Sequence, residues 1–103
     1  SLDQLTLPFL ANYEQLQPFG NGNPQPVFFM RCAHLARPPV PLRNAHLRLH
    51  LRQGLTQHEA IFFGGGEHPL PDPPWDIAFT INRNTFRGRT TLQIIIQDIR
   101  AAE

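Results

Sequence analysis

The residues with chemistry to offer are five histidines, one cysteine and nine cations, every one of the cations Arg. His46 and His50 share one side of an extended segment. At ~3.3 Å per residue they stand about 13 Å apart, too far for one metal ion whose ligand bonds are ~2 Å. Spacing therefore gives no metal site. Ser1 is the only serine and no Gly-x-Ser-x-Gly occurs, so an activated hydroxyl is not indicated. Gly64, Gly65 and Gly66 lack the Lys-Ser/Thr that completes a phosphate loop and read as a flexible link. Phe19-Gly20-Asn21-Gly22-Asn23 is not a nucleotide fingerprint, because a predicted helix precedes it and none opens after it. Cys32 has no neighbour that activates a thiol and reads as a small buried strand residue. Its lack of a disulfide partner fits a reducing compartment. No catalytic residue is expected in this chain.

The arginines are more informative. The net charge is only +1, yet Arg31, Arg37, Arg43, Arg48 and Arg52 follow one another with no Asp or Glu between them, and Arg83, Arg87 and Arg89 form a second group. A guanidinium pairs with phosphate and stacks on bases or aromatic rings, whereas an ammonium offers a point charge. A biased genomic base composition would produce the same preference. Single-stranded nucleic acid is held by cations along its backbone and by aromatics stacked on its bases. The candidate contacts are Arg83, Phe86, Arg87 and Arg89 in one connection, Arg37 and Arg43 in another, and the row His46, Arg48, His50 and Arg52. For the row the competing reading is an ordinary solvated strand face. For Phe86 it is a ring folded back on its own fold.

These residues need a scaffold. The length of 103 residues suits one domain, and a hydrophobic content of 41% with eight Phe excludes a disordered chain. No apolar run approaches the ~20 residues of a membrane span, and no secretory segment is visible, so a cytoplasmic location is expected. A first residue of Ser rather than Met suggests a piece of a longer polypeptide. Phe9, Tyr13 and Leu16 recur at helical spacing behind Thr6, a plausible N-cap, with Pro8 tolerated in the first turn. The helix must stop before Pro18, and Pro18 to Pro26 is a dense run of turn formers.

Strands follow. Leu47, Leu49 and Leu51 alternate with His46, Arg48, His50 and Arg52, which puts the two sets on opposite faces. Trp75, Ile77, Phe79 and Ile81 form a second row, and Leu92, Ile94 and Ile96 a third. Val27–Leu35 and His58–Phe63 are apolar enough to be strands, though their inward faces do not emerge from the pattern. Gly54 marks one hairpin and Asn84 with Gly88 another. Five antiparallel strands after a short helix fit an all-β, five-stranded OB-fold barrel, with 1–26 as helix and linker and 27–100 as the barrel. A small sandwich or an SH3-like barrel would share the pattern.

Leu16-Gln17-Pro18-Phe19-Gly20-Asn21-Gly22-Asn23-Pro24-Gln25-Pro26-Val27-Phe28 resembles the segment that enters the OB domain of RecJ-type single-strand-specific DNA exonucleases. His46-Leu47-Arg48-Leu49, Ala60-Ile61 with Phe63, Trp75-Asp76-Ile77-Ala78-Phe79 with Phe86-Arg87-Gly88, and Asp98-Ile99-Arg100 continue the resemblance in order. It departs at Gly64 to Pro74, where such proteins have a longer, more regular segment. The resemblance implies a non-catalytic, single-stranded-DNA-binding module of a 5′–3′ exonuclease. It also implies that DHH and DHHA1 domains of the same protein hold manganese or magnesium, and this chain has none of their motifs. The alternative function is a structural or interaction module that packs on those domains or recruits a partner such as single-strand-binding protein.

Overall fold

A computed structural model describes residues 1–16 and 25–103. A 3-10 turn over Leu2–Gln4 and helix α1 (Leu7–Glu14) precede six strands: β1 (Phe28–Leu35), β2 (Val40–Pro41), β3 (Leu47–Gln53), β4 (Thr56–Phe62), β5 (Trp75–Phe86) and β6 (Arg89–Ala101). They form one sheet in the order β1-β5-β6-β4-β3-β2, and an additional β1–β3 pairing closes five of them into a ring. The pairings are antiparallel except β4–β6, joined in parallel at Ala60–Ile94 and Ile61–Ile95. This is an OB-fold. The expected five strands are those of the ring, and β2 adds a short sixth along the edge of β3.

The alternating rows account for the core. Leu47, Leu49, Leu51, Trp75, Ile77, Phe79, Ile81, Leu92, Ile94 and Ile96 are all buried inside the barrel. Met30 and Ala33 complete the inner face of β1 and Ala60 that of β4, two faces on which the pattern was silent. Each buried Leu, Ile or Phe contributes roughly 1.5–3 kcal/mol through water released from its surface.

Local chemistry closes the ends. Thr6 caps α1 by accepting from the Phe9 N–H at 3.3 Å, and Pro8 occupies the first turn, where no donor is lost. Leu10 and Tyr13 of α1 are buried with Leu2, and Phe28 packs between Phe9, Tyr13 and Phe79 at centroid distances of 5.7–5.8 Å. Gln53 ties the N-terminal turn to two strands, accepting from the Leu2 N–H at 2.7 Å and donating to the Arg31 carbonyl at 2.6 Å. At the opposite end the Gly64–Pro74 connection forms a 3-10 turn (Gly65–Glu67), and the Trp75 indole donates to the Pro71 carbonyl at 2.7 Å. No helix among the described residues is long and apolar enough to cross a membrane.

Two local expectations change. Cys32 is exposed rather than buried, because a bulge between Met30 and Ala33 gives it φ +53° and turns its side chain outward. The last hairpin is also longer than its apolar alternation. β5 and β6 stay paired out to Phe86–Arg89 and turn through Arg87 and Gly88 alone. Residues 82–89 are exposed throughout, so no apolar period marks them as strand. The Pro18–Pro24 turn expectation lies outside the described residues.

Candidate functional site

Strand register places the candidate side chains. Arg48 on β3 faces Ile61 on β4, and Ile61 stands beside Ile95 on β6. Counting back along β6 by twos gives Gln93, Thr91 and Arg89, whose β5 partners are Asn82, Asn84 and Phe86. All of these point away from the core. A shallow cleft of about 120 Å³ runs along this outer face, lined by Arg48, Glu59, Ile61, Asn84, Thr91 and Gln93 among others. Arg48 and the outer side of the final hairpin therefore share one surface, although they are far apart along the chain.

The hairpin tip continues the same side of the ribbon beyond Asn84 and Thr91. Arg87 and Gly88 have φ of +52° and +76°, the pair of left-handed residues that a type I′ turn requires. Gly88 takes this at no steric cost, whereas Arg87 is strained by its Cβ. The Phe86 ring is 66% exposed and does not fold back on the barrel. The Arg87 guanidinium lies over it, 5.2 Å from the centroid, a cation–π contact that pairs a charge with a stacking surface. Arg89 is exposed beside Phe86.

Other candidates are engaged elsewhere. Arg83 continues the inward row of β5 and lies on the hairpin's inner side, where it grips Glu14 of α1: Nη2 to Oε1 at 2.7 Å, and Nε to the two oxygens at 3.1 and 3.2 Å. Hydrogen bonding from Arg83, more than Coulomb attraction, holds the Glu14 carboxyl below its ordinary value near 4.5, and the same bonds raise Arg83. His46 accepts from the Gly64 N–H at 2.8 Å through Nδ1, and its ring meets Phe63 edge-on, so it pins the β4–β5 connection. His50 approaches the Glu59 carboxylate at 3.2 Å through Nε2 and answers the one acid in the cleft lining. Arg52 reaches the Gly54 carbonyl at 3.4 Å. Arg37 and Arg43 are exposed in the β1–β3 connection on either side of β2. Sequence reasoning passed over Asn84, Thr91 and Gln93. Their even or odd parity with Phe86 and Arg89 was the available signal.

No group of three or more His, Cys, Asp or Glu comes together among the described residues. The contacts just given engage His46 through Nδ1 and His50 through Nε2.

The family model of the RecJ OB domain matches residues 1–98. Among solved structures, this chain is similar to that of RecJ in complex with Mg2+ from Thermus thermophilus, at 25% sequence identity and a TM-score of 0.63. The match covers 84% of this chain and 13% of that one, so the chain spans about an eighth of the length of this relative. No curated protein matches the chain.

Proposed function

This chain belongs to the RecJ OB domain family, and from that premise we propose that it is a non-catalytic module that holds single-stranded DNA for a RecJ-like 5′–3′ exonuclease. The observation that carries this reading is the shared outer face: a cleft lined by Arg48, Asn84, Thr91 and Gln93, with Phe86 and Arg89 next along the same side of the hairpin and Arg87 at its turn. A strand lying across β3 and β4 would set phosphates against these guanidinium groups and a base against the exposed Phe86 ring. Asn84, Thr91 and Gln93 offer neutral donors and acceptors along the floor, which suits contact without a fixed sequence. OB-folds commonly take ligands on this strand face and at these two connections. Divalent metal, manganese or magnesium, would be held by DHH and DHHA1 domains elsewhere in the longer protein and would supply the hydrolytic chemistry. No step of it is assigned to residues here.

The test is fluorescence anisotropy with labelled single-stranded oligonucleotides across a salt series. If Arg48, Arg87 and Arg89 each meet one phosphate, the slope of log K against log salt is about −2.1, at ~0.7 per contact. Reversing Arg87 and Arg89 to Glu abolishes most binding while the thermal transition is retained. Binding indifferent to salt, or unaltered by the reversal, removes the proposal.

One observation favours a second reading for a different face. Phe29 is 78% exposed on the outside of β1, in a groove with Arg31, Asp76, Asp98 and Arg100. Packing on other domains of the longer protein, or on a partner such as single-strand-binding protein, would cover it. Phe29→Ser then weakens assembly and leaves oligonucleotide affinity intact.

A further inference from the structure

Beyond Phe79 on β5, and before Ile94 on β6, no third strand pairs with the final hairpin among the described residues. β1 leaves β5 at the Phe28–Phe79 pair, and β4 meets β6 only at Ile94 and Ile95. A two-stranded ribbon is marginally stable at best in water. Its cross-strand partners, such as Thr85 and Thr90 with their hydroxyls 3.3 Å apart, keep the two strands together but do not set the direction in which the pair leaves the barrel. Something outside the ribbon must do so.

The inner side of the ribbon shows a tether. Arg83 donates from two nitrogens to the two carboxylate oxygens of Glu14, 69 positions away in sequence. A side-on, two-bond contact fixes orientation as well as distance. The anchor is itself held. Leu10 and Tyr13 of α1 are buried in the barrel, and the Tyr13 hydroxyl accepts from Gln25 at 3.1 Å. Glu14 is the last residue of α1, where a negative charge opposes the helix dipole. Helix stability alone does not favour a carboxylate at that position.

We propose that Glu14 and Arg83 are positioning residues: their ion pair braces the ribbon against α1 and so sets where Phe86, Arg87 and Arg89 stand relative to the outer face of β3 and β4. The functional half of this inference rests on the nucleic-acid reading above; the mechanical half does not. Arg83 is thereby separated from the other hairpin arginines. It faces α1 on the inner side, while Phe86 and Arg89 share the outer side with Arg48.

The two roles available to Arg83 predict opposite signs. Glu14→Gln removes a negative charge, so if Arg83 were a phosphate ligand held in reserve, the substitution would tighten DNA binding. A lost brace weakens it. Wild type, Glu14→Gln, Arg83→Glu and the swap Glu14→Arg with Arg83→Glu are compared by amide hydrogen exchange and by oligonucleotide anisotropy. In Glu14→Gln the amides from Thr85 to Thr90 exchange about two- to fivefold faster, as expected for a lost exposed ion pair, while those of Leu49, Ile77 and Ile94 are unchanged. Affinity falls in both single variants and recovers in the swap together with protection. Unchanged exchange in Glu14→Gln, or a swap that leaves the ribbon unprotected while the core amides stay protected, overturns the brace. Tighter binding by Glu14→Gln assigns Arg83 to the ligand and overturns it as well. A wild-type chain that binds no oligonucleotide removes the proposed function, and the brace is then decided by exchange alone.

Discussion

At the scale of single residues, Arg87 is the most telling. Turns of this geometry favour Asn followed by Gly, and an L-residue with a long side chain pays a steric penalty at φ +52°. The proposed interface gives a use to a strained side chain at an exposed tip. Arg87→Asn is therefore expected to stabilise the hairpin by on the order of 0.5–1 kcal/mol while weakening oligonucleotide binding. Thermal unfolding and anisotropy on the same sample check the pair of effects. A variant that gains stability and keeps its affinity would remove Arg87 from the interface. Phe86 supports the same view from a neighbouring position, since its ring is exposed yet engaged by a cation.

At the scale of elements, the helix and the hairpin work as a unit. The Glu14 carboxyl is held below its ordinary range by hydrogen bonds from Arg83, so the linkage has a definite sign. Its contribution is fully present above the ordinary value near 4.5 and is lost as pH falls through the lowered one. The raised Arg83 stays charged throughout this window and adds no dependence there. Ribbon amides from Thr85 to Thr90 should lose protection on acidification below about 4.5, relative to the core amides, and Glu14→Gln should abolish that difference. Exchange rates corrected for their intrinsic pH dependence measure it. An acid response that persists in Glu14→Gln would place its origin in another group. The element reading also explains why the hairpin was foreshortened in the sequence. Its solvated residues carry no apolar period, and only pairing across the ribbon reveals them as strand.

At the scale of the whole molecule, helix and barrel share one core. Leu2, Leu10 and Tyr13 are buried with the strand residues, although they precede the first strand by more than a dozen positions. We propose that the division at residue 26 separates sequence segments and not folding units. Deleting residues 1–16 removes these three side chains, a loss of roughly 1.5–3 kcal/mol for each large apolar group, against a total stability of about 5–15 kcal/mol for a domain. The truncated chain is expected to lose its cooperative thermal transition, followed by circular dichroism. A transition that survives at the same temperature would mean that the barrel does not need its helical plug.

The rows Leu47 to Leu51, Trp75 to Ile81 and Leu92 to Ile96 were legible in the sequence because alternation is imposed by the strand itself, residue by residue. The helix cap at Thr6 and the turn at Gly54 were legible for the same reason: their chemistry is completed within a few positions. The seams that close the expected barrel were not. The parallel β4–β6 contact and the β1–β3 seam join segments with no local signal for one another. The candidate interface divides along the same line. Amino-acid types alone nominated the hairpin arginines and Phe86, whereas the fold moved Arg83 to the inner side and brought Arg48 to the outer one with the hairpin. The physical reason is that a side chain's chemistry is fixed by its own atoms. The partner it meets is fixed by whichever distant strand or helix the burial of the core carries to its side.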